Sequence, residues 1–199
     1  MDIQQATSTV GRTIRTTLYS RADLTIGLKK VFGSLTLGGY DKSRFSPNDI
    51  SFQFATDITR DLVVGLQSIT YSDSKSKDKI LQSEGILAFV DATVPHLWLP
   101  KETCTAFEKA FGLQYNSTVN RYLVNDTLHE QLQQQNASIA FTLGNEISGG
   151  ASTKLVLPYN AFDLTVGPPT VNKTQNYFPL RRADNDTQYT LGRTFLQDA

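Results

Sequence analysis

Residues 88–100 read AFVDATVPHLWLP, which is the most informative segment of the sequence. The apolar run from Ile86 to Val90 leads directly into Asp91, and a short turn separates it from a second apolar run. A continuous apolar run of this length predicts a strand that is buried on both faces. A carboxylate at the end of such a strand is costly unless hydrogen-bond donors, an opposite charge or a function accompany it. The residues alone leave two readings open, an ordinary turn aspartate, which is the commoner case, and a functional acid.

Outward from this stretch, the chain has the short alternating runs of a β-rich protein. Ile50, Phe52 and Phe54 alternate with polar residues and predict a strand with all three on one face. The run 62–71 predicts a long strand, in which Gly65 could mark a bulge. Further strands are predicted at 34–37, 138–143, 153–157 and 162–166.

Helix signals are few, which predicts a mainly β fold with one or two short helices. Residues 100–111 are the best candidate, because Pro100 suits a first helical position and Gly112 suits the left-handed position after the end. Cys104, Phe107 and Phe111 fall on one face of that helix. Residues 128–134 form a weaker candidate, and the segment 1–30 is poorly patterned.

Composition and charge exclude several classes of partner. Lys plus Arg and Asp plus Glu number 19 each, so the net charge is zero and neither nucleic acid nor an anionic membrane is an expected partner. Cys104 is the single cysteine, so an internal disulfide is impossible and a thiolate-rich metal site is not expected. Cys104 is predicted to be a buried small apolar residue, or else half of a disulfide to a region outside this chain.

A single cysteine is typical of a cytosolic protein, but the sequence also contains five N-glycosylation sequons. Ten asparagines should give roughly two sequons by chance, so five is an excess that favours a secreted or extracellular protein. No signal peptide is recognisable in this chain. The acceptor candidates are Asn116, Asn125, Asn136, Asn172 and Asn185.

The stretch 88–100 resembles the second active-site loop of pepsin-type aspartic proteases. A divergent fungal branch of that family carries Asp-Ser-Ser/Thr followed by a Pro-x-Leu-Trp-Leu-Pro run. Four more segments resemble the family in the same order: 33–45, 104–113, 155–159 and 189–196. The resemblance therefore covers 31–199 and implies the carboxyl-terminal lobe of the family's double-barrel fold, with 1–30 as the end of a missing first lobe.

The resemblance implies peptide-bond hydrolysis by two aspartates, one from each lobe, which share a proton and activate a water. Asp91 corresponds to the second-lobe aspartate, and neither a metal nor a cofactor is implied. No second loop of this kind is visible, because none of the other candidate aspartates follows an apolar strand and precedes a Gly-containing turn. These are Asp23, Asp41, Asp57, Asp163 and Asp184.

The active-site loop departs from the family pattern at three positions. Ala92 stands where a Ser or Thr hydroxyl reaches across to the opposite lobe, and Thr93 stands at a usual Gly position. Val94 replaces a hydroxyl residue that orients the carboxylate. These changes predict low or lost activity, even if a first lobe is present.

Three hypotheses follow for the function. The chain is an acid endopeptidase lobe that acts on peptides or proteins only with a first lobe or with a second copy of itself. Alternatively, it is a non-catalytic homologue that binds peptides or proteins, or it is a truncated gene product.

Two histidines and the apolar residues around Trp98 are weaker candidates for chemistry. A lone histidine such as His96 is more often a packing residue, and His129 stands next to Glu130, where the two side chains cannot face one site. Leu97, Trp98 and Leu99 are expected in the core.

Overall fold

The computed structural model describes residues 14–16, 35–37, 50–55, 61–75 and 78–198. Within these ranges the chain forms fourteen strands and three α-helices, which confirms a mainly β fold. The first eight strands are β1 (Ile14–Thr16), β2 (Leu35–Leu37), β3 (Val63–Ser72), β4 (Lys79–Gln82), β5 (Ile86–Val90), β6 (Leu97–Leu99), β7 (Gln114–Asn116) and β8 (Arg121–Val124). The other six are β9 (Ser138–Gly144), β10 (Ser152–Pro158), β11 (Leu164–Val166), β12 (Gln175–Phe178), β13 (Leu180–Arg182) and β14 (Thr190–Leu191).

An eight-stranded main sheet carries most of the fold. Its order is β10-β9-β3-β5-β14-β6-β13, and β4 pairs with β3 beside this path. Most neighbours are antiparallel, but β14 runs parallel to β5 and β13 runs parallel to β6. The short strand β14 therefore lies between β5 and β6, the two strands on either side of Asp91.

A second sheet packs with the main sheet around one core. It has the antiparallel order β11-β12-β8-β7. Aromatic rings fill much of the space between the layers, with Phe162 stacked on Phe178 at 5.3 Å and Phe141 edge-on to Phe195 at 5.2 Å. All four of these rings are fully buried.

The helices are α1 (Lys101–Phe111), α2 (Asp126–Gln135) and α3 (Arg193–Asp198). Pro100 is the N-cap residue of α1 rather than its first helical residue, and Gly112 takes the left-handed conformation past its end with a φ of 68°. Cys104, Phe107 and Phe111 are buried on one face of α1, as the sequence predicts. The short helix α3 adds a third to the one or two helices expected.

Three local expectations are wrong. Residues 50–55 form no strand, because the Gln53 N–H donates to the Asn145 side chain instead of to a neighbouring strand. Strand β5 is not buried on both faces, since Leu87 is 53% exposed while Ala88 is fully buried. The register of β3 shifts between Leu66 and Ser68 and again after Ile69, not at Gly65.

Gly65 instead permits a close contact between chain segments. A Cβ atom at this position would lie 2.1 Å from the carbonyl oxygen of Glu146, in the loop that joins β9 to β10. The absence of a side chain therefore lets this loop cross the face of β3.

The residues described before position 50 form a pair of short strands. Strand β1 pairs antiparallel with β2, with Arg15 opposite Thr36. The sequence pattern predicts β2 but no element before Val31, so β1 was not anticipated. Several predicted features lie outside the described residues. These are the rest of the segment 1–30, most of the family-like segment 33–45, and the candidates Asp23, Asp41 and Asp57. No helix in the described part is long and apolar enough to cross a membrane.

Candidate functional site

The loop of residues 91–96 joins β5 to β6 and is held in place by β14 and the start of α3. The Asp91 N–H donates to the Leu191 carbonyl over 3.2 Å, and the Arg193 N–H donates to the Val94 carbonyl over 2.7 Å. The Thr194 hydroxyl also donates to the Pro95 carbonyl over 2.7 Å. The backbone around Asp91 is therefore fixed from a segment a hundred residues later in the chain.

Gly192 makes this arrangement sterically possible. A Cβ atom there would lie 2.3 Å from the His96 carbonyl oxygen and 2.4 Å from that of Val94. Both contacts are far shorter than van der Waals distance and involve backbone atoms, which cannot move independently of the loop. Only glycine lets β14 pass this close to the loop.

The Asp91 carboxylate receives two hydrogen bonds on the same oxygen. The Thr93 N–H and the Thr93 hydroxyl both donate to Oδ1, each over 2.7 Å. Asp91 is half-buried and Thr93 is exposed. This local turn fixes the orientation of the carboxyl group and leaves Oδ2 as the oxygen that Thr93 does not contact.

The hydroxyl of Thr93 was missed as an orienting group in the sequence. The family pattern directs attention to position 94, where Val94 replaces a hydroxyl residue that orients the carboxylate. An aspartate side chain often accepts a hydrogen bond from the backbone N–H two residues later, and this turn tendency of Asp91 could have directed attention to Thr93. Ala92 and Val94 are half-buried, and neither side chain can donate a hydrogen bond.

The two other candidate aspartates in the described part, Asp163 and Asp184, have partners elsewhere. Asp163 lies 2.8 Å from His129 Nε2 through both of its oxygens, and Asp184 lies 3.7 Å from Lys101. Within the described ranges, no hydrogen bond or ion pair joins Asp91 to another carboxyl group. Asp91 is thus a single oriented acid in the part of the chain that the structure shows.

The pairing of His129 with Asp163 was not anticipated from the sequence. His129 lies in α2, and Asp163 ends the 3-10 helix Tyr159–Phe162. Gln133, one turn after His129, donates to Asp163 over 3.2 Å. The sequence separation of 34 residues hides this contact, which ties α2 to the turn before β11.

His96 is a buried packing residue, as the sequence predicts. It is 6% exposed, its ring packs edge-on to Tyr177 at 5.8 Å, and its Nε2 lies 3.4 Å from the Tyr177 hydroxyl. Burial lowers the pKa of His96 to about 3, and the positive charges of Arg121 and Arg193 add to the effect. His96 is therefore neutral over most of the pH range.

Cys104 is fully buried, as the sequence predicts. Its Sγ lies 3.5 Å from the Arg181 carbonyl oxygen and 3.6 Å from that of Leu99. Burial raises the pKa of the Cys104 thiol to about 12. A disulfide from Cys104 to a region outside this chain, the alternative prediction, would require the core around the thiol to open.

Leu97 and Leu99 are in the core, but Trp98 is half-buried on the opposite face of β6. The guanidinium of Arg181, its register neighbour on β13, lies 4.8 Å from the Trp98 ring centroid. A cation stacked on the indole covers part of the ring and accounts for its half-exposed position.

All five sequon asparagines are exposed: Asn116, Asn125, Asn136, Asn172 and Asn185. The Oδ1 atoms of Asn116, Asn125 and Asn185 accept local backbone hydrogen bonds. A glycan is attached through the amide nitrogen, so these bonds leave the acceptor atom available.

The comparisons with known proteins agree with one another on fold. A family model described as eukaryotic aspartyl protease matches residues 11–199, which begins earlier than residue 31, where the motif resemblance begins. Among solved structures, the aspartic proteinase from Irpex lacteus matches with a TM-score of 0.58 and 16% sequence identity. That match covers 83% of this chain and 46% of that chain, so the protein spans less than half of that enzyme's length. No curated protein matches the chain.

Proposed function

Because the chain belongs to the eukaryotic aspartyl protease family, we propose that it forms one lobe of an acid endopeptidase and contributes Asp91 as one of two catalytic aspartates. The domain is protease-like in fold and family. The finer assignment, that it acts as the second lobe on peptide or protein substrates, is the proposal.

The chemistry requires a pair of carboxyl groups that share one proton around a water molecule. Two like charges a few ångströms apart cannot both ionise cheaply, so one carboxyl group remains protonated. The ionised partner takes a proton from the water, and the protonated one donates to the carbonyl oxygen of the scissile bond. A single aspartate supplies only half of this exchange.

The proposal rests on one observation, namely that the Asp91 carboxylate is held in a fixed orientation while no second carboxyl group of the described part faces it. Thr93 holds Asp91 Oδ1 through two donors at 2.7 Å, at the end of a strand whose loop is fixed by β14. No other carboxyl group of the described part contacts it. The isolated chain is therefore proposed to be inactive until a first lobe or a second copy provides the opposed acid.

The test is proteolysis of a denatured protein substrate at acidic pH. The isolated chain should show no turnover above that of Asp91→Asn at low protein concentration, and gel filtration should report whether a dimer forms. If a concentration-dependent dimer cleaves substrate and Asp91→Asn abolishes the cleavage, the second copy is the missing lobe. Asp91-dependent cleavage by a monomer would overturn the half-site proposal.

A non-catalytic peptide-binding role is the second candidate, and the loop composition favours it. Ala92 and Val94 supply no hydroxyl to a cross-lobe or carboxylate contact. Under this role, a peptide should bind to the isolated chain, with no cleavage in any oligomeric state. Fluorescence polarisation with a labelled unfolded peptide, compared between the wild type and Asp91→Asn, distinguishes binding from turnover.

A secreted glycoprotein of fungal type is proposed from the sequons and the family resemblance. Exposure of all five asparagines supports this, since an acceptor must be reachable. Expression through a secretory pathway, followed by enzymatic removal of N-glycans, should lower the mass in steps. An unchanged mass would contradict the proposal.

A further inference from the structure

A small cavity, open to solvent, lies between the first turns of α2 and the edge of the second sheet. Its volume is about 260 Å³, which is below the ~300–1,000 Å³ of typical small-molecule sites, so it fits one ring rather than an extended ligand. We call it the α2 cavity, and its side-chain lining is Gln114, Leu123, Asn125, Thr127, Leu128 and Gln131.

Strand pairing and helix spacing bring these side chains to the two walls of the cavity. Leu123 pairs with Gln114 across β8 and β7, so the two side chains share one face of the second sheet. On α2, Gln131 follows Leu128 by three residues and Thr127 by four, so these three side chains share one face of the helix. The cavity is therefore a product of the fold, with one wall from the sheet and one from the helix.

The walls carry polar groups that the protein itself does not use. In the described part, no hydrogen bond engages the side chains of Gln114, Thr127 or Gln131. Glutamine amides both donate and accept, and the half-buried Leu123 and Leu128 add apolar surface beside them. No ionisable side chain of the described part lines the cavity. The matching ligand is uncharged, with hydroxyl or amide groups and an apolar face, which is the chemistry of a sugar ring.

One of the lining residues is itself a sugar-acceptor candidate. Asn125 belongs to a sequon, and as the N-cap of α2 its Oδ1 accepts from the Leu128 N–H over 2.8 Å. This bond fixes the side-chain orientation and leaves the amide nitrogen available for a glycan. The first sugar on that nitrogen begins at the cavity wall, so it does not have to associate from solution. The other sequon asparagines do not line this cavity: Asn116, Asn136, Asn172 and Asn185.

We propose that the first N-acetylglucosamine of a glycan on Asn125 packs in the α2 cavity, with the Gln114 and Gln131 amides as its hydrogen-bond partners. This inference rests on the proposed glycosylation of the chain, and it gives one sequon of the five a role in stability. The docked sugar contacts β7, β8 and the start of α2, which lie together only in the folded chain. It therefore stabilises the folded state, as any group does that binds the native chain alone.

The experiment uses the full chain secreted with high-mannose glycans, which an endoglycosidase trims to one N-acetylglucosamine at each occupied site. Gln131→Ala removes an amide from the cavity wall, and Gln134→Ala, at an exposed glutamine of α2 outside the cavity, is the matched control. In urea unfolding of the glycoprotein, Gln131→Ala should lower the folded-to-unfolded ratio about two- to ten-fold relative to Gln134→Ala, the scale of one neutral hydrogen bond. In the unglycosylated chain made in bacteria, the two variants should be equally stable.

A second pair of variants tests the attachment point. Asn125→Asp removes the acceptor nitrogen but keeps the helix cap, since aspartate caps a helix as well as asparagine does. In the glycoprotein it should lower the folded-to-unfolded ratio by a similar factor, and in the unglycosylated chain it should have little effect. Asn172→Asp, which removes a sequon outside the cavity, should leave the ratio unchanged in both forms. Peptide mass spectrometry of the wild type shows which sequons carry a glycan.

The outcomes separate the docked sugar from glycosylation itself. A loss for Gln131→Ala that appears only in the glycoprotein supports docking. If Asn125 carries a glycan and the Gln131→Ala loss is absent, or is the same with and without glycans, docking is overturned and the glycoprotein proposal is kept. An unmodified Asn125 beside glycans at other sequons also overturns docking alone. The absence of a glycan from every sequon overturns both proposals.

Discussion

His96, the last residue of the loop that begins with Asp91, is a packing residue that still makes the free energy of unfolding depend on pH. It is 6% exposed and neutral, with a pKa of about 3 in the folded chain against an ordinary value of 6.5. Above pH 6.5, neither the folded nor the unfolded state holds the proton. Between these two pH values, the unfolded chain binds a proton that the folded chain refuses, so folding weakens as the pH falls.

We expect the free energy of unfolding to lose about 1.4 kcal/mol for each pH unit of this window through His96 alone. Urea unfolding of the wild type and of His96→Gln, near neutral pH and at acidic pH, measures the difference. The variant should be less stable at neutral pH but should lose less stability in acid. Parallel pH profiles for the two proteins would show that His96 does not titrate as its burial implies.

Cys104 provides a second test at the scale of one residue. Its thiol is fully buried, and its pKa is raised to about 12, so very little thiolate exists in mildly alkaline buffer. Alkylation by iodoacetamide should therefore be at least about a hundred-fold slower in the folded chain than in urea. Mass spectrometry of timed samples measures it, and rapid labelling of the native protein would contradict the burial.

At the scale of secondary structure, the contact of β14 with the loop before β6 decides the placement of Asp91. Gly192→Ala puts a Cβ atom 2.3 Å from the His96 carbonyl oxygen, so the strand or the loop must move. We expect a loss of about 1–3 kcal/mol in unfolding free energy and a changed amide signal for Thr93. Urea unfolding and NMR measure the two effects.

Gly149→Ala is the control for this change. A Cβ atom at position 149 meets nothing within 4 Å, but the φ of +67° is unfavourable for alanine. Its cost should be about 1 kcal/mol, from backbone conformation alone, and Thr93 should be unaffected. Equal effects of the two substitutions on Thr93 would show that the close approach of β14 does not position the loop.

For the whole molecule, the sequence predicted the parts that depend on local pattern. The helix α1, its buried face and its Gly112 end follow from residue spacing, and so do the runs that became β3, β9 and β10. The sequence could not show that β14 pairs parallel with β5, because this contact joins residues a hundred positions apart. The predicted strand at residues 50–55 was wrong for the same reason, because the contact with Asn145 is distant in sequence. An alternating pattern does not reveal that the Asn145 side chain takes the place of a partner strand.

The same limit applies to the site. Asp91 could be singled out because a carboxylate after an apolar run is unusual, and its family resemblance covers the adjacent residues. The pairing of His129 with Asp163 could not be found from the sequence, because the two residues come together only when α2 and the turn before β11 are both in place. Residue identity indicates chemistry, whereas the partners and the missing partners of a group depend on tertiary contacts.

A hydrogen-bonded group of three side chains joins the layers of the molecule and yields the last prediction. Tyr122 lies on β8 of the second sheet, Arg182 on β13 of the main sheet, and Glu108 on α1. The Tyr122 hydroxyl donates to Glu108 Oε1 over 2.7 Å and accepts from Arg182 Nε over 3.0 Å. Tyr122 is fully buried, and burial, with the bond to Glu108, raises the pKa of its hydroxyl.

Tyr122→Phe removes one hydroxyl and leaves Arg182 Nε without its acceptor, so it should cost about 1–3 kcal/mol of unfolding free energy. Tyr115→Phe is the matched control, because the Tyr115 hydroxyl bonds only to the exposed Asn120 at 2.5 Å within its own hairpin. That control should cost less than about 1 kcal/mol. If urea unfolding gives equal losses for both, the hydroxyl of Tyr122 does not bind the two sheets together, and the shared aromatic core must account for their packing alone.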